Sequence, residues 1–530
     1  MDQDPVTVSG GEKFEDKTIQ KPQDVSLSQS IPPQRPSVLD SFGPSFATDK
    51  TYWRFLSLSV LSGLLLGLLS SVQSILVAYT LELWRGNVYG DPSATKLNFF
   101  AGQPWWIAVV SLGGLITGLI QAIPCFRYPK EVHSLFGEIR VAGDGSSSFP
   151  GFYSSGAPAV FLSNSLGLAL GGTIGPEAAF AFLGASLSHA IYYLPFVRTR
   201  YPLPTSDLRI FVLVGMSVAV ASILPTPIMA VSLISELFTL TCSRDEGMGS
   251  VYLKFFVSAG IGGCVAFTVA VGIGVVTYDH LSDPYYVNLA VPTGIFADFL
   301  PLKAILLGLI GCFLGYVFLA AKLICKRGAR RLSTYINSLS EYKLGTILTP
   351  AVGGIFVGII AWILPGTTGI GEEGMRFLAK SQNGQNEPVV FVSTGLLKLL
   401  SLAICMSFGW TGGVILPLLF VGSSVGAGIA EAAGWNRLLC MACVGGSLMA
   451  SHMPAPFAFW AGLITLYETG LGVAYGTFIS ILVSLLFGVA FGTKQKFILL
   501  MTSQQHNRRR SMYLNISVYD DDDDDDDNNN

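Results

Sequence analysis

Of the 530 residues, 51% are hydrophobic and only 13% charged, with 59 glycines and a mean hydropathy of +0.54. Water-soluble domains average about a quarter charged residues, and here 13 charges fall in 1–51 and 11 in 501–530, leaving 43 for the 449 residues between. Phe55–Leu81, Leu399–Ala430 and Leu438–Tyr467 carry no charged side chain, runs longer than the roughly 20 residues a bilayer core requires, which excludes a soluble enzyme, a nucleic-acid binder and a disulfide scaffold and predicts an all-α polytopic membrane protein.

Residues 1–51 are polar and rich in Ser, Pro and Gln, and read as a disordered cytoplasmic N-terminus without an apolar leader. Apolar stretches then follow at 52–83, 104–125, 157–173, 178–195, 208–221, 223–241 and 252–278. After a polar connection come 303–325, 345–364, 389–408, 413–433, 438–450, 456–473 and 474–493. Many are broken by Gly or Pro, and several are too short to cross a bilayer straight. Such segments must be buried in protein or line a polar cavity, and in two matching halves they point to a transporter. Cys440-Met-Ala-Cys443 sits in one of them with no second pair and reads as helix packing. The basic clusters Lys326–Arg331, Lys494/Lys496 and Arg508–Arg510 favour the cytoplasmic side. The formal charge of −3 includes eight negatives from Asp520–Asp527, in a tail over 501–530 that reads as solvated and cytoplasmic. Without them the body is weakly basic, which is no signature of a nucleic-acid partner.

The halves, about 52–278 and 303–500, repeat each other. Gly175-Pro-Glu-Ala-Ala179 precedes Gly184 as Gly413-Val-Ile-Leu-Pro417 precedes Gly422, an offset of 238. Pro225-Thr-Pro227 leads to Glu236 as Pro454-Ala-Pro456 leads to Glu468, an offset of 232 between the acids. Two ordered matches at nearly one offset indicate internal duplication.

Glycines ahead of an apolar helix let the backbone turn sharply and approach a ligand. The first helical turn then offers unpaired N–H groups and a partial positive charge, enough to hold a dehydrated anion without a cation. With no Lys or Arg in Gly409–Pro417, the anion is free to leave again. Glu177 is the only charged residue between Asp144 and Arg198, a costly placement that is functional by default. Beside such amides its carboxylate is suited to occupy the anion's position and to leave when protonated or displaced. Glu236 and Glu468, equally isolated, read as structural hydrogen-bonding groups. A nucleophile–base pair, a clustered metal-ligand set and a P-loop are all missing, so the reading is of a non-enzyme without cofactor or metal.

These motifs resemble the CLC chloride channels and proton-coupled chloride exchangers. Gly175, Pro176, Glu177, Ala178 and Ala179 resemble G-K/R-E-G-P, which makes Glu177 the gating glutamate, with Pro176 in place of the basic residue. Gly413-Val-Ile-Leu-Pro417 resembles G-x-F-x-P, which implies anion binding by backbone at Gly413, Val414 and Ile415, with Ile415 replacing Phe. Pro227 and Glu236 resemble the A-P-L-x-G…E-E helix, although Leu237 stands where many exchangers carry a second, inner glutamate. The best match to G-S-G-I-P is Cys125-Phe-Arg-Tyr-Pro129, so Phe126 replaces the ion-binding Ser, and Phe497 replaces the pore Tyr. The resemblance covers about 52–500 and implies a fold of two inverted-topology repeats, cytoplasmic termini, and a homodimer with a pore in each subunit. It leaves no room for paired nucleotide-binding (CBS) modules after the membrane domain. Three functions stay open: a voltage-gated chloride channel, a proton-coupled exchanger, and a member that no longer transports and serves as an interaction protein.

Overall fold

The computed structural model describes residues 50–86, 99–123, 152–201, 205–241, 248–277, 300–339, 344–378 and 387–490, apart from a few positions inside these ranges. Phe126, Phe497, Pro225, Glu468 and both termini lie outside the described residues. The described residues form 15 α-helices and a short 3-10 turn at Pro365–Thr367. In the first half they are α1 (Lys50–Arg85), α2 (Trp106–Ala122), α3 (Phe152–Ala169), α4 (Glu177–Tyr193), α5 (Pro195–Arg200), α6 (Thr205–Ala221), α7 (Pro227–Thr241) and α8 (Met248–Thr277). In the second half they are α9 (Leu300–Ser338), α10 (Leu344–Ile363), α11 (Pro388–Phe408), α12 (Ile415–Ala433), α13 (Arg437–His452), α14 (Pro456–Leu466) and α15 (Leu471–Ala490). Seven are long and apolar enough to span a bilayer, while α2, α6, α7 and α14 are apolar but shorter.

The order α3, α4, α6, α7 returns as α11, α12, α13, α14. In each series a long helix leads to a Gly-opened helix, and a later helix starts on Pro. Like elements meet across the middle: α2 packs along α10, and the Pro-started α7 packs on α14. Within each half the first long helix lies on the last, α1 on α8 and α9 on α15.

In hydrocarbon, contact between helices depends on close backbone approach and polar cross-links. The α2–α10 seam has both partners of a small-residue stripe. Gly114 and Gly118 of α2 face the backbone of Pro350 and Ile347, and Gly354 and Gly358 of α10 face that of Val110, Ser111 and Ile107. A Cβ at any of the four would strike main-chain atoms of the other helix. Hydroxyls supply the cross-links: Ser70 Oγ donates to the Ser222 carbonyl, and Ser484 Oγ to that of Ser447, at 3.0 and 2.7 Å. The main apolar core runs through α4, α6, α7 and α11–α14, so the two Gly-opened helices α4 and α12 start inside protein.

Candidate anion site between two helix openings

The α11 helix stops at Gly409, whose φ of 98° is left-handed and free of cost only without a Cβ. The chain then turns through Trp410, anchored by its indole N–H to the Pro350 carbonyl at 3.0 Å, and enters α12 at Ile415. The matching turn before α4 meets it head-on. Gly175 N–H donates to the Gly413 carbonyl at 2.8 Å, and Gly413 N–H to the Gly175 carbonyl at 2.6 Å. This two-bond antiparallel bridge joins the two halves of the chain at the point where both helices open.

Glu177 is the first residue of α4 and is only 2% exposed. Its Oε1 accepts from the Leu416 N–H at 2.6 Å, an amide in the first turn of α12. Its Oε2 has no hydrogen-bond partner among the described residues. A carboxylate thus sits where the open end of a helix attracts negative charge. Both bridge glycines make room for it, since a Cβ at Gly175 or Gly413 would run into the Glu177 carboxyl.

The structure brings Glu177, Gly175, Pro176, Gly413, Val414, Ile415 and Pro417 to one place, and Ala178 N lies 3.2 Å from where a Gly413 Cβ would stand. Gly413 gives its N–H to the Gly175 carbonyl, and Leu416 supplies the amide that holds the Glu177 carboxylate. Val414 and Ile415 are buried at the helix opening, and Pro417, without an N–H, stands in the first turn where none is needed.

Sequence reading passed over the groups behind the bridge. Asn164 of α3, Gln73 of α1 and Gln121 of α2 all bond to the two loops or to each other. Each is an uncharged polar residue in an apolar helix, which was the available signal. A second omission is Lys398, fully buried in α11. Its ammonium donates to the carbonyls of Thr367, Thr368 and Gly369 at 3.2, 3.3 and 2.9 Å and lies 4.6 Å from the Phe420 ring centroid. The same Thr367 carbonyl accepts the Thr173 hydroxyl at 3.0 Å, two residues before the bridge glycine. Charge within an apolar helix is the sign that would have found it.

Glu236 meets its structural reading. Its carboxylate accepts from Phe457 N–H at 3.0 Å and Ala458 N–H at 3.4 Å, so α7 caps the start of α14. The neighbouring Leu237 is 3% exposed. Glu236→Ala is expected to destabilise the protein by about 0.5–2 kcal/mol, the usual loss for a helix cap, read as a lower thermal unfolding midpoint in detergent. Its pH profile of anion flux should match wild type. A shifted profile at unchanged stability would instead put Glu236 on a proton route.

A family profile described as voltage gated chloride channel matches residues 152–489. No curated protein matches the sequence. Among solved structures the chain is similar to a slow cyanobacterial Cl-/H+ antiporter, at 18% identity and a TM-score of 0.66, over 85% of this chain and 98% of that one. It is similar to a CLC-type fluoride/proton antiporter at 18% identity and a TM-score of 0.58, over 82% of this chain and 95% of that one. A eukaryotic CLC transporter matches at 14% identity and a TM-score of 0.58, over 85% of this chain and 74% of that one. With the profile covering more than half of the chain, and two opposed helix openings meeting at Glu177, this multi-pass integral membrane protein belongs to the voltage gated chloride channel family.

Proposed function

We propose that the protein conducts chloride or a similar small anion through the site at Leu416, gated by Glu177, as a passive channel working as a homodimer with one pore per subunit. The observation that carries the gate is the Glu177 carboxylate held on the Leu416 amide at 2.6 Å. That amide is a first-turn donor suited to an anion, and the side chain competes with the anion for it. An anion or a proton that displaces the carboxylate frees the amide, so one residue serves as both plug and sensor.

The passive reading is supported by what surrounds Glu236 near the end of α7. Leu237 cannot carry a proton, and both oxygens of Glu236 are occupied in capping α14. A relay through an apolar interior needs a titratable group, because charge there is expensive. The second reading, coupled chloride/proton exchange, is favoured by the described activity of two similar structures, a Cl-/H+ and a fluoride/proton antiporter.

Purified protein in planar bilayers separates the two. With chloride fixed and a tenfold proton gradient imposed, the channel reading expects the reversal potential to stay at the chloride value. A shift on the scale of stoichiometric exchange overturns it in favour of the antiporter. Absence of any anion flux would leave a non-transporting interaction protein.

A further inference from the structure

Asn164 lies in the middle of α3 with its side chain fully buried. An amide there is costly unless every polar atom is satisfied. Its Nδ2 donates to the Gly175 carbonyl at 3.1 Å and to the Thr411 carbonyl at 2.9 Å. Its Oδ1 accepts from Gln73 Nε2 of α1, itself 3% exposed, at 2.9 Å. The two accepting carbonyls belong to different halves of the chain. Gly175 lies in the turn before α4, which carries Glu177, and Thr411 in the turn before α12, which carries Leu416. One side-chain amide therefore ties both turns from behind, next to the Gly175–Gly413 bridge that joins them in front.

The role of each atom follows. An amide NH2 group offers two donors to two carbonyls at once without a charge, and Gln73, by donating to Oδ1, keeps the nitrogen turned toward them. An aspartate would set a carboxylate against two carbonyl oxygens, and a leucine would leave both unpaired.

The spacing of the two turns fixes the distance between the Glu177 backbone and the α12 amides. An anion held by such amides is sensitive to that distance, as any preorganised amide site is. We infer that Asn164, oriented by Gln73, is a positioning residue that sets the gap between the two helix openings and thereby determines which small anions the site accepts. This rests on the anion-transport reading above.

The test uses the full chain in liposomes, with chloride, bromide and nitrate fluxes measured on the same preparation. Asn164→Ala is expected to raise the nitrate-to-chloride flux ratio by about fivefold, the scale of one ordinary hydrogen bond. Gln73→Leu should move the ratio in the same direction by less. The double variant should go no further than Asn164→Ala alone, because both act through one contact. The ratio discriminates because a variant that merely folds poorly lowers every flux together. Should Asn164→Ala fail to fold, the Gln73→Leu ratio decides. Conducting variants with the wild-type ratio would overturn the inference and leave anion transport standing. A wild type that conducts no anion would overturn the transport reading, and this inference with it.

Discussion

Glutamine at position 177 is expected to raise anion flux at neutral pH by roughly tenfold to a hundredfold and to flatten its pH dependence. Glu177 accepts one charge-assisted hydrogen bond from the Leu416 N–H, and bonds of this class contribute about 1.5–3 kcal/mol. Each 1.4 kcal/mol is a factor of ten in the ratio of plugged to open sites. The sign with pH follows from the same contact. Acidification neutralises the carboxylate, weakens its hold on the amide and opens the site, so wild-type flux rises as pH falls. Glu177→Gln carries no charge at any pH and should stay near the acid limit throughout. Glu177→Ala removes the plug itself and should conduct at least as well. Folding should survive both changes, since they remove a buried charge and leave the Gly175–Gly413 bridge intact. The measurement is chloride flux from liposomes over a pH series. A well-folded glutamine variant with the wild-type pH response would remove Glu177 from the gate.

Valine at Gly413 should act in the opposite direction and lower flux by roughly tenfold to a hundredfold, the kinetic equivalent of the 1–3 kcal/mol that overpacking costs. A Cβ there would strike the Glu177 carboxyl and approach Ala178 N to 3.2 Å, and the valine methyls would crowd the opening of α12 further. The cause can be isolated. If collision with the carboxylate dominates, Gly413→Ala should be better tolerated in a Glu177→Ala background than alone. If displaced backbone dominates, the second change should give no relief. Normal conductance in Gly413→Val would place the anion route elsewhere.

Hydropathy located nearly every helix because lipid rewards apolar length. The stretch 178–195 became α4 at Glu177–Tyr193, and 345–364 became α10 at Leu344–Ile363. It failed where backbone geometry and polarity part company. The run at 303–325 ends at its basic cluster, yet α9 continues through Lys326–Arg331 to Ser338, since a helix satisfies its own backbone whether or not its side chains are apolar. The run at 456–473 looks continuous but α14 stops at Leu466. At the site, the motifs pointed to two turns and to Glu177, but they could not show that Gly413 exchanges hydrogen bonds with Gly175. That partner lies 238 positions away in sequence, and spacing within either half cannot reveal a contact between them. Asn164 was overlooked for the same reason, because its meaning comes from touching both turns at once. Lys398 stands immediately before the charge-free run that begins at Leu399, and the carbonyls that hold it lie about thirty residues upstream, where no local spacing points to them.

The lysine's cage also bears on how the protein is made. An ammonium entering hydrocarbon is opposed by several kcal/mol unless something replaces its water. The carbonyls of Thr367, Thr368 and Gly369 lie 31, 30 and 29 residues ahead of Lys398 in the chain. Synthesis runs from the N-terminus, so these three oxygens have left the ribosome before the lysine does. Phe420, whose ring covers the other side, is made only afterwards. Lys398 therefore leaves the ribosome with its substitute for water already translated, and the α12 ring that completes the cage follows it in the chain.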